Sequence, residues 1–199
     1  MKKILALLAI VGMIFTVGQN AASAQGKILV AYFSRVGNEY GVGNITKGNT
    51  AIVAEIIAQK TGADLFEIKT VKNYPADYDE CTKIASREKS EKARPALSTS
   101  VTNFEQYDTI FLGCPIWWGD MPMAVYTFLE SYNFSGKTII PFVTHGGSGL
   151  SGVDRRISAT CKNSTQLQGF AIYGTTAQNN RAKTNSEVDG WLKKIGMIQ

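Results

Sequence analysis

The chain contains three glycine-containing segments that each follow a short apolar run, and they hold the residue types best suited to bind a ligand. The first spans residues 34–50 and ends where an amphipathic stretch begins. A helix N-terminus presents unpaired N–H groups and the positive end of the helix dipole, so hydroxyl and amide side chains beside it can bind a phosphate. Asn49 and Thr50 would equally serve as ordinary helix caps. The segment therefore predicts either a phosphate site or a capped helix start.

The second segment, residues 115–122, holds two adjacent tryptophans, Trp117 and Trp118, between two prolines. No helical or strand period would bury both side chains in a core. We therefore expect at least one of them to be exposed and able to stack on a flat ring, with Gly119 allowing close approach of the backbone. A hydrophobic plug over the sheet edge is the alternative.

The third segment, residues 145–149, contains three glycines and begins with His145, the only histidine of the chain. So many glycines bring the backbone close to a ligand edge or to another loop. His145 could donate to a ligand, act as an acid or hold the loop in place, and we expect the structural role.

Several common sites do not fit these residues. A Walker phosphate loop is excluded because no Gly-Lys-Ser/Thr follows the glycines, and a dinucleotide fingerprint is poor because Thr46 stands where its third glycine should be. Glu67 keeps the dinucleotide alternative open, since an acid there could bind a ribose. A serine hydrolase is disfavoured because no serine stands in Gly-x-Ser-x-Gly, and a metal site lacks a ligand cluster.

Short apolar runs alternate with longer amphipathic stretches along the chain. The strand candidates are residues 27–33, 64–68, 109–114, 138–143 and 170–173, and the helix candidates are residues 50–60, 77–92, 123–131, 153–160 and 185–195. Most of the strands are apolar throughout, as strands buried on both faces of a parallel sheet must be. The alternation predicts a doubly wound α/β domain with helices on both faces, in which ligands bind outside the carboxyl ends of the strands.

Residues 1–24 have the features of a secretory signal peptide, namely two lysines at the start, an apolar run over residues 4–17 and small residues before the cleavage point. The apolar run is shorter than the roughly 20 residues that a membrane-spanning helix needs, which disfavours an uncleaved anchor. We therefore expect a soluble, exported protein, periplasmic or extracellular, whose single domain covers residues 25–199 and has no membrane contact after cleavage.

Charge and cysteine content limit the partners further. The chain has 21 basic and 16 acidic residues, and the leader would remove two of the basic ones. The remaining net charge of about +3 is small and scattered, which does not indicate a nucleic-acid partner. Three scattered cysteines do not indicate a disulfide framework. Two alternatives remain: one bridge between Cys81 and Cys161 with one free thiol, or three buried free thiols.

Taken together, AYFSRVGN with GNTAIVAEII, GCPIWWGDMP and THGGSG resemble the flavodoxin family, and the resemblance extends from Lys27 to the C-terminus. It implies a five-stranded sheet with strand order 2-1-3-4-5 and a noncovalent FMN at the carboxyl edge. By motif position it implies that Ser34, Arg35, Asn49 and Thr50 hold the phosphate, with Asn38 and Gly48 as further candidates. The residues it places beside the isoalloxazine are Pro115, Ile116, Trp117, Trp118 and Gly119, and His145, Gly146, Gly147, Ser148 and Gly149.

Two features depart from the family pattern. Residues 39–47 lengthen the first segment, so the roles of Asn38, Lys47 and Gly48 stay open. The third segment has no aromatic residue to complete a sandwich around the flavin, and the chain is mildly basic where typical flavodoxins are acidic. We therefore expect one open flavin face, and a midpoint potential above that of acidic flavodoxins because a less negative surface stabilises an anionic reduced flavin.

The expected function is electron transfer through FMN, which itself carries the redox chemistry, so no residue need be a nucleophile or a general base. Its partner would be an unidentified redox protein or small-molecule acceptor. Two alternatives remain open: an NAD(P)H-dependent quinone or nitro-compound reductase of the same fold, and a partner-binding module that has lost the cofactor.

Overall fold

The computed structural model describes residues 26–199 and contains eight strands and six α-helices in that part of the chain. The strands are β1 (Lys27–Tyr32), β2 (Gly37–Glu39), β3 (Gly43–Ile45), β4 (Asp64–Glu67), β5 (Tyr107–Pro115), β6 (Thr138–His145), β7 (Thr165–Gln166) and β8 (Phe170–Tyr173). The helices are α1 (Asn49–Thr61), α2 (Tyr78–Glu91), α3 (Met123–Glu130), α4 (Val153–Thr160), α5 (Gly174–Asn179) and α6 (Arg181–Lys194).

The main sheet is parallel throughout and runs in the order β4, β1, β5, β6, with β7 and β8 both pairing with β6. The short β7 pairs at the start of β6, and β8 pairs at its end. The fifth position of the sheet is thus shared by two successive strands. The predicted doubly wound fold and the strand order 2-1-3-4-5 are confirmed, with β7 as an addition to the expected five strands.

Two clusters of buried apolar side chains cover the two faces of the sheet. One contains residues of α3 and α4 and the other contains residues of α1 and α6. α1 contributes Ile52, Val53, Ile56 and Ile57, all nearly or fully buried. At roughly 1.5–3 kcal/mol for each fully buried aliphatic side chain, this one stripe provides a large part of the free energy that holds α1 on the sheet.

Both ends of α1 were predicted, and one of them needs correction. The helix ends at Gly62, which adopts the left-handed conformation with φ of 68° and donates its N–H to the Ala58 carbonyl, as the sequence predicts. The N-cap, however, is Gly48, so Asn49 and Thr50 lie inside the first turn instead of capping it.

The sequence analysis missed the β2–β3 hairpin, β7 and α5, and it began α6 four residues too late. The two hairpin strands are three residues long and have no apolar alternation, so periodicity gives no signal there. α5 is a six-residue helix that begins at Gly174. The hairpin accounts for most of the insertion at residues 39–47.

No helix within residues 26–199 is long and apolar enough to span a membrane. The expected signal peptide lies outside the described residues.

Candidate functional site

A cavity of about 460 Å³ opens at the carboxyl edge of the sheet, where the segments after β1, β5, β6 and β8 meet. Of the predicted site residues, eight line it: Arg35, Asn49, Pro115, Ile116, Trp117, Trp118, His145 and Gly146. The other lining residues are Glu39, Tyr40, Tyr78, Cys81, Thr82, Ala85, Thr144, Tyr173, Gly174 and Thr175. The remaining predicted residues, Ser34, Asn38, Gly48, Thr50, Gly119, Gly147, Ser148 and Gly149, belong to the same loops but are not among the lining residues.

The N-terminus of α1 lies at this cavity, where its N–H groups could donate to a ligand that accepts hydrogen bonds. The first N–H groups of a helix have no partner within it, and Ser34 Oγ accepts one of these bonds from the Ala51 N–H at 3.1 Å. Asn49 lines the cavity, and its Oδ1 is buried without a hydrogen-bond partner. The Thr50 hydroxyl is tied at 2.8 Å to that of Thr144 on β6, so it braces the helix against the sheet.

The Arg35 side chain is held by contacts within the protein. Its guanidinium, with the residue only 9% exposed, donates to the Asn38 carbonyl, to the Glu39 carboxylate and to the carbonyls of residues 75–77. A guanidinium has five N–H donors, and these contacts engage all three of its nitrogens. Arg35 therefore joins the β2–β3 hairpin to the segment before α2, and its N–H groups are occupied before any phosphate arrives.

Burial of Glu39 beside this guanidinium has opposing effects on its carboxyl group. Desolvation raises the pKa of Glu39 above its ordinary value, and the hydrogen bond and charge of Arg35 lower it, with desolvation the larger effect. The pair carries a formal charge near zero when both groups are ionised. A phosphate at this site would consequently be attracted by the α1 N–H groups more than by the Arg35 charge.

The two tryptophans separate as predicted. The Trp117 ring packs edge-on against Phe33 at 5.3 Å and Tyr74 at 5.0 Å between ring centroids, which fixes it to the core. Trp118 is 58% exposed, and its indole N–H donates to the Thr82 carbonyl of α2 at 2.9 Å. The expectation of at least one exposed tryptophan is confirmed, and the exposed one, Trp118, lines the cavity.

His145 holds its own loop. Its Nδ1 accepts the Gly147 N–H at 2.9 Å, so the imidazole proton resides on Nε2. Desolvation lowers the pKa of His145 below its ordinary value, which favours this neutral form. Gly147 and Gly149 have φ of 146° and 59°, conformations that side chains rarely adopt. This arrangement agrees with the structural role expected for the histidine.

Aromatic tyrosine rings line the cavity from outside the third glycine segment, which itself contributes none. Tyr173, at the end of β8, lines the cavity and packs on His145 with ring centroids 4.6 Å apart. Tyr40, at the hairpin tip, lines it as well. Both come from segments outside the third glycine segment, so its composition could not reveal them. The sequence could have identified Tyr173, because it is the last residue of the fifth predicted strand and ligands bind at the carboxyl ends of such strands.

All three cysteines are free and buried, so the structure contains no bridge between Cys81 and Cys161. Burial raises the pKa of Cys81 and of Cys161 to about 11 and raises that of Cys114 further. A thiol with a raised pKa is a poor nucleophile and a poor metal ligand at neutral pH. Cys81 is thus an apolar part of the cavity wall.

Comparison with known proteins agrees with this architecture. The family model described as flavodoxin matches residues 27–195, which is most of the chain. No curated protein sequence matches this chain significantly.

Several solved structures are similar. A candidate flavoprotein from Bacteroides uniformis shares 32% identity, with a TM-score of 0.66 over 84% of this chain and 98% of that one. One from Bacteroides eggerthii shares 29% identity, with a TM-score of 0.68 over 86% and 98%. A flavoprotein from Lactobacillus acidophilus, solved in complex with FMN, shares 21% identity, with a TM-score of 0.62 over 83% and 98%. At that identity the last structure supports the fold alone.

Proposed function

Because this chain belongs to the flavodoxin family, we propose that it binds FMN without a covalent link in the cavity at the carboxyl edge of the sheet and passes electrons through it. The observation that carries the proposal is the meeting of the α1 N-terminus and the exposed Trp118 ring at one cavity of about 460 Å³. A similar structure from Lactobacillus acidophilus holds FMN.

The residues at the cavity fit the two ends of this cofactor. Around the α1 N-terminus, the Ser34 hydroxyl and the side-chain N–H₂ group of Asn49, which lines the cavity, would donate to a phosphate. Gly48 allows the Ser34 hydroxyl to lie at this helix N-terminus, since a Cβ on residue 48 would lie 2.1 Å from Ser34 Oγ. Trp118 and Tyr173 offer aromatic faces for a flat ring system.

When bound, the flavin would supply the redox chemistry, and the chain's residues would bind, orient and shield it. The Trp117–Asp120 turn carries Trp118 at the cavity, held by reciprocal backbone hydrogen bonds of 2.9 and 3.0 Å. His145 would stay neutral and keep its glycine loop in one conformation.

The electrons would pass to an unidentified redox protein or a small-molecule acceptor. An open flavin face would favour a reductase, because a small substrate could then reach the ring. The aromatic side chains that line the cavity, Trp118, Tyr40 and Tyr173 among them, reduce that case. Steady-state turnover with NADPH and a quinone distinguishes the two activities, because a pure carrier gives no turnover without a protein partner.

Fluorescence titration of the apoprotein with FMN, with riboflavin in parallel, tests the proposal. We expect FMN to bind at least about a hundredfold more tightly than riboflavin, because charge-assisted hydrogen bonds to the α1 N–H groups require the phosphate. Trp118→Ala is expected to weaken FMN binding about tenfold through lost stacking, while Trp191→Phe, at a residue that does not line the cavity, leaves it unchanged. Binding of neither flavin would favour the partner-binding module.

A further inference from the structure

A second cavity, of about 430 Å³, lies beside α2, apart from the site described above. None of the residues that line it also lines the first cavity. The Tyr74 ring lines the second cavity and packs edge-on against Trp117, which lines the first, with ring centroids 5.0 Å apart. The two cavities are therefore neighbours divided by side chains, and a small molecule could occupy the second while the first is filled. Its volume is within the range of small-molecule sites.

Main-chain hydrogen bonds shape the second cavity. After β4, residues 69–71 pair antiparallel with residues 96–98 through N–H···O bonds of 2.8 and 2.9 Å. At the end of α2, the Ala93 N–H donates to the Glu88 carbonyl at 2.8 Å. The walls are thus formed by the fold itself, so a ligand would not have to order them, and this lowers the entropy that its binding costs.

Two aliphatic side chains at this cavity are not used by the core. Val71 is 69% exposed, and Ile84 of α2 belongs to neither of the two buried clusters. The other apolar residues of the lining are Tyr74, Ala93, Pro95 and Ala96. A ligand with an apolar body would remove this surface from water, which favours binding.

The polar part of the lining carries positive charge. One acidic residue, Glu88, lines the cavity together with three basic residues, Lys72, Arg87 and Arg94. Arg94 pairs with Glu130 at 2.7 Å, whereas neither Lys72 nor Arg87 forms an ion pair within residues 26–199. Glu88 already accepts a hydrogen bond of 2.7 Å from the hydroxyl of the lining tyrosine. With the Arg94–Glu130 pair neutral, the lining has a formal charge of about +1, which a single carboxylate would neutralise.

We propose that the second cavity binds a small carboxylic acid in its ionised form. The apolar body of this ligand lies against Val71 and Ile84, and its carboxylate lies at Arg87 and Lys72. A guanidinium presents parallel N–H donors that match the two oxygens of a carboxylate, and the ammonium adds a second positive charge. The site is separate from the proposed flavin site and needs no flavin.

Equilibrium dialysis of the purified protein against 2-naphthoate, and against its neutral analogue 2-naphthalenemethanol, tests the proposal. We expect one naphthoate per chain, bound at least about tenfold more tightly than the alcohol, because only the carboxylate makes charge-assisted hydrogen bonds. Arg87→Gln and Lys72→Gln should each lower this preference about threefold or more. Arg181→Gln is the matched control and should leave it unchanged, because Arg181 is also an exposed helical arginine but does not line the cavity.

Two further variants locate the bound probe. Ile84→Ala should weaken both probes by a similar factor and leave the preference for naphthoate unchanged, since it removes apolar surface only. Trp118→Ala and excess FMN both act on the first cavity, so neither should change naphthoate binding. The measurement is valid whether or not FMN binds, because Trp118→Ala reports on the first cavity independently.

Absence of naphthoate binding, or equal binding of the two probes, would overturn this inference. Displacement of naphthoate by FMN, or its loss in Trp118→Ala, would overturn it as well by placing the probe in the first cavity. A preference for naphthoate that survives Arg87→Gln and Lys72→Gln would show that these two charges do not form the site. Failure of FMN to bind would overturn the proposed function alone.

Discussion

Two neighbouring tryptophans take different places because of the backbone between them. Trp118 and Gly119 have φ of 51° and 71°, the signs of a tight turn with both central residues in the left-handed region. A left-handed tryptophan is uncommon and costs free energy, which the surrounding contacts must offset. Asp120 does so, since its carboxylate accepts from the Tyr126 hydroxyl at 2.9 Å and pairs with Arg156 at 3.0 Å. Backbone strain at this turn thus accompanies an aromatic side chain exposed at the cavity.

Because the chain has a single histidine, its imidazole can be titrated by NMR without assigning resonances. Desolvation lowers the pKa of His145, and protonation of Nδ1 would break the bond from the Gly147 N–H. We expect ¹H NMR of the apoprotein to give an imidazole pKa below the ordinary value of about 6.5. The folded state then binds fewer protons than the unfolded state, so stability is lost as the pH falls through about 6.5 towards the folded pKa.

His145→Asn is the control for this titration. Its Oδ1 can replace Nδ1 as the acceptor for Gly147 but does not titrate, so the loss of stability over that pH window should disappear. An imidazole pKa at or above 6.5 would contradict the assignment of a neutral, loop-holding histidine.

At the scale of elements, the sequence predicted those strands and helices that have a periodic apolar pattern. The five main strands and the first four helices were predicted within two residues at each end, because buried parallel strands and amphipathic helices have clear apolar patterns. The hairpin could not be predicted, since its strands are short and polar and its position depends on carbonyls about 40 residues further along the chain. For the same reason, the sequence identified Arg35 as a residue of the site but could not identify its partners.

Gly48 illustrates how one residue sets the start of an element. Its φ of −67° is ordinary, so any residue could adopt this backbone, yet a Cβ there would lie 2.1 Å from Ser34 Oγ and 2.4 Å from the Arg35 carbonyl. Gly48→Ala should therefore destabilise the protein by roughly 1–3 kcal/mol through overpacking and should weaken FMN binding with it. Urea unfolding and flavin titration measure the two effects.

Gly190 provides the opposite case. It lies inside α6, its added Cβ would meet nothing within 4 Å, and Gly190→Ala should stabilise the protein by about 0.5–1 kcal/mol. If both glycine variants changed stability by the same amount and sign, close approach to residues 34–35 would not be the reason for glycine at position 48.

At the scale of the whole molecule, the cavity lies between a firm sheet and a more loosely attached wall. The helices α1 and α6 are anchored in one buried cluster and α3 and α4 in the other. α2 buries only Cys81 and Ala85 among its 14 residues, and both line the cavity. Elements with few buried apolar contacts open locally at lower free energy than the core, so α2 is the wall expected to open first.

Two matched thiols can distinguish such local opening from global unfolding. Cys81 and Cys161 are 3% and 5% exposed, and burial raises the pKa of each to about 11, but only Cys81 lines the cavity. We expect saturating FMN to slow the reaction of Cys81 with an aromatic disulfide reagent at least about tenfold more than that of Cys161, with Cys81→Ser and Cys161→Ser assigning the two rates. Global unfolding would expose both thiols together, and FMN would then slow both by the same factor. Equal protection would therefore mean that α2 does not open on its own, whereas selective protection of Cys81 would identify α2 as the wall that moves to admit the cofactor.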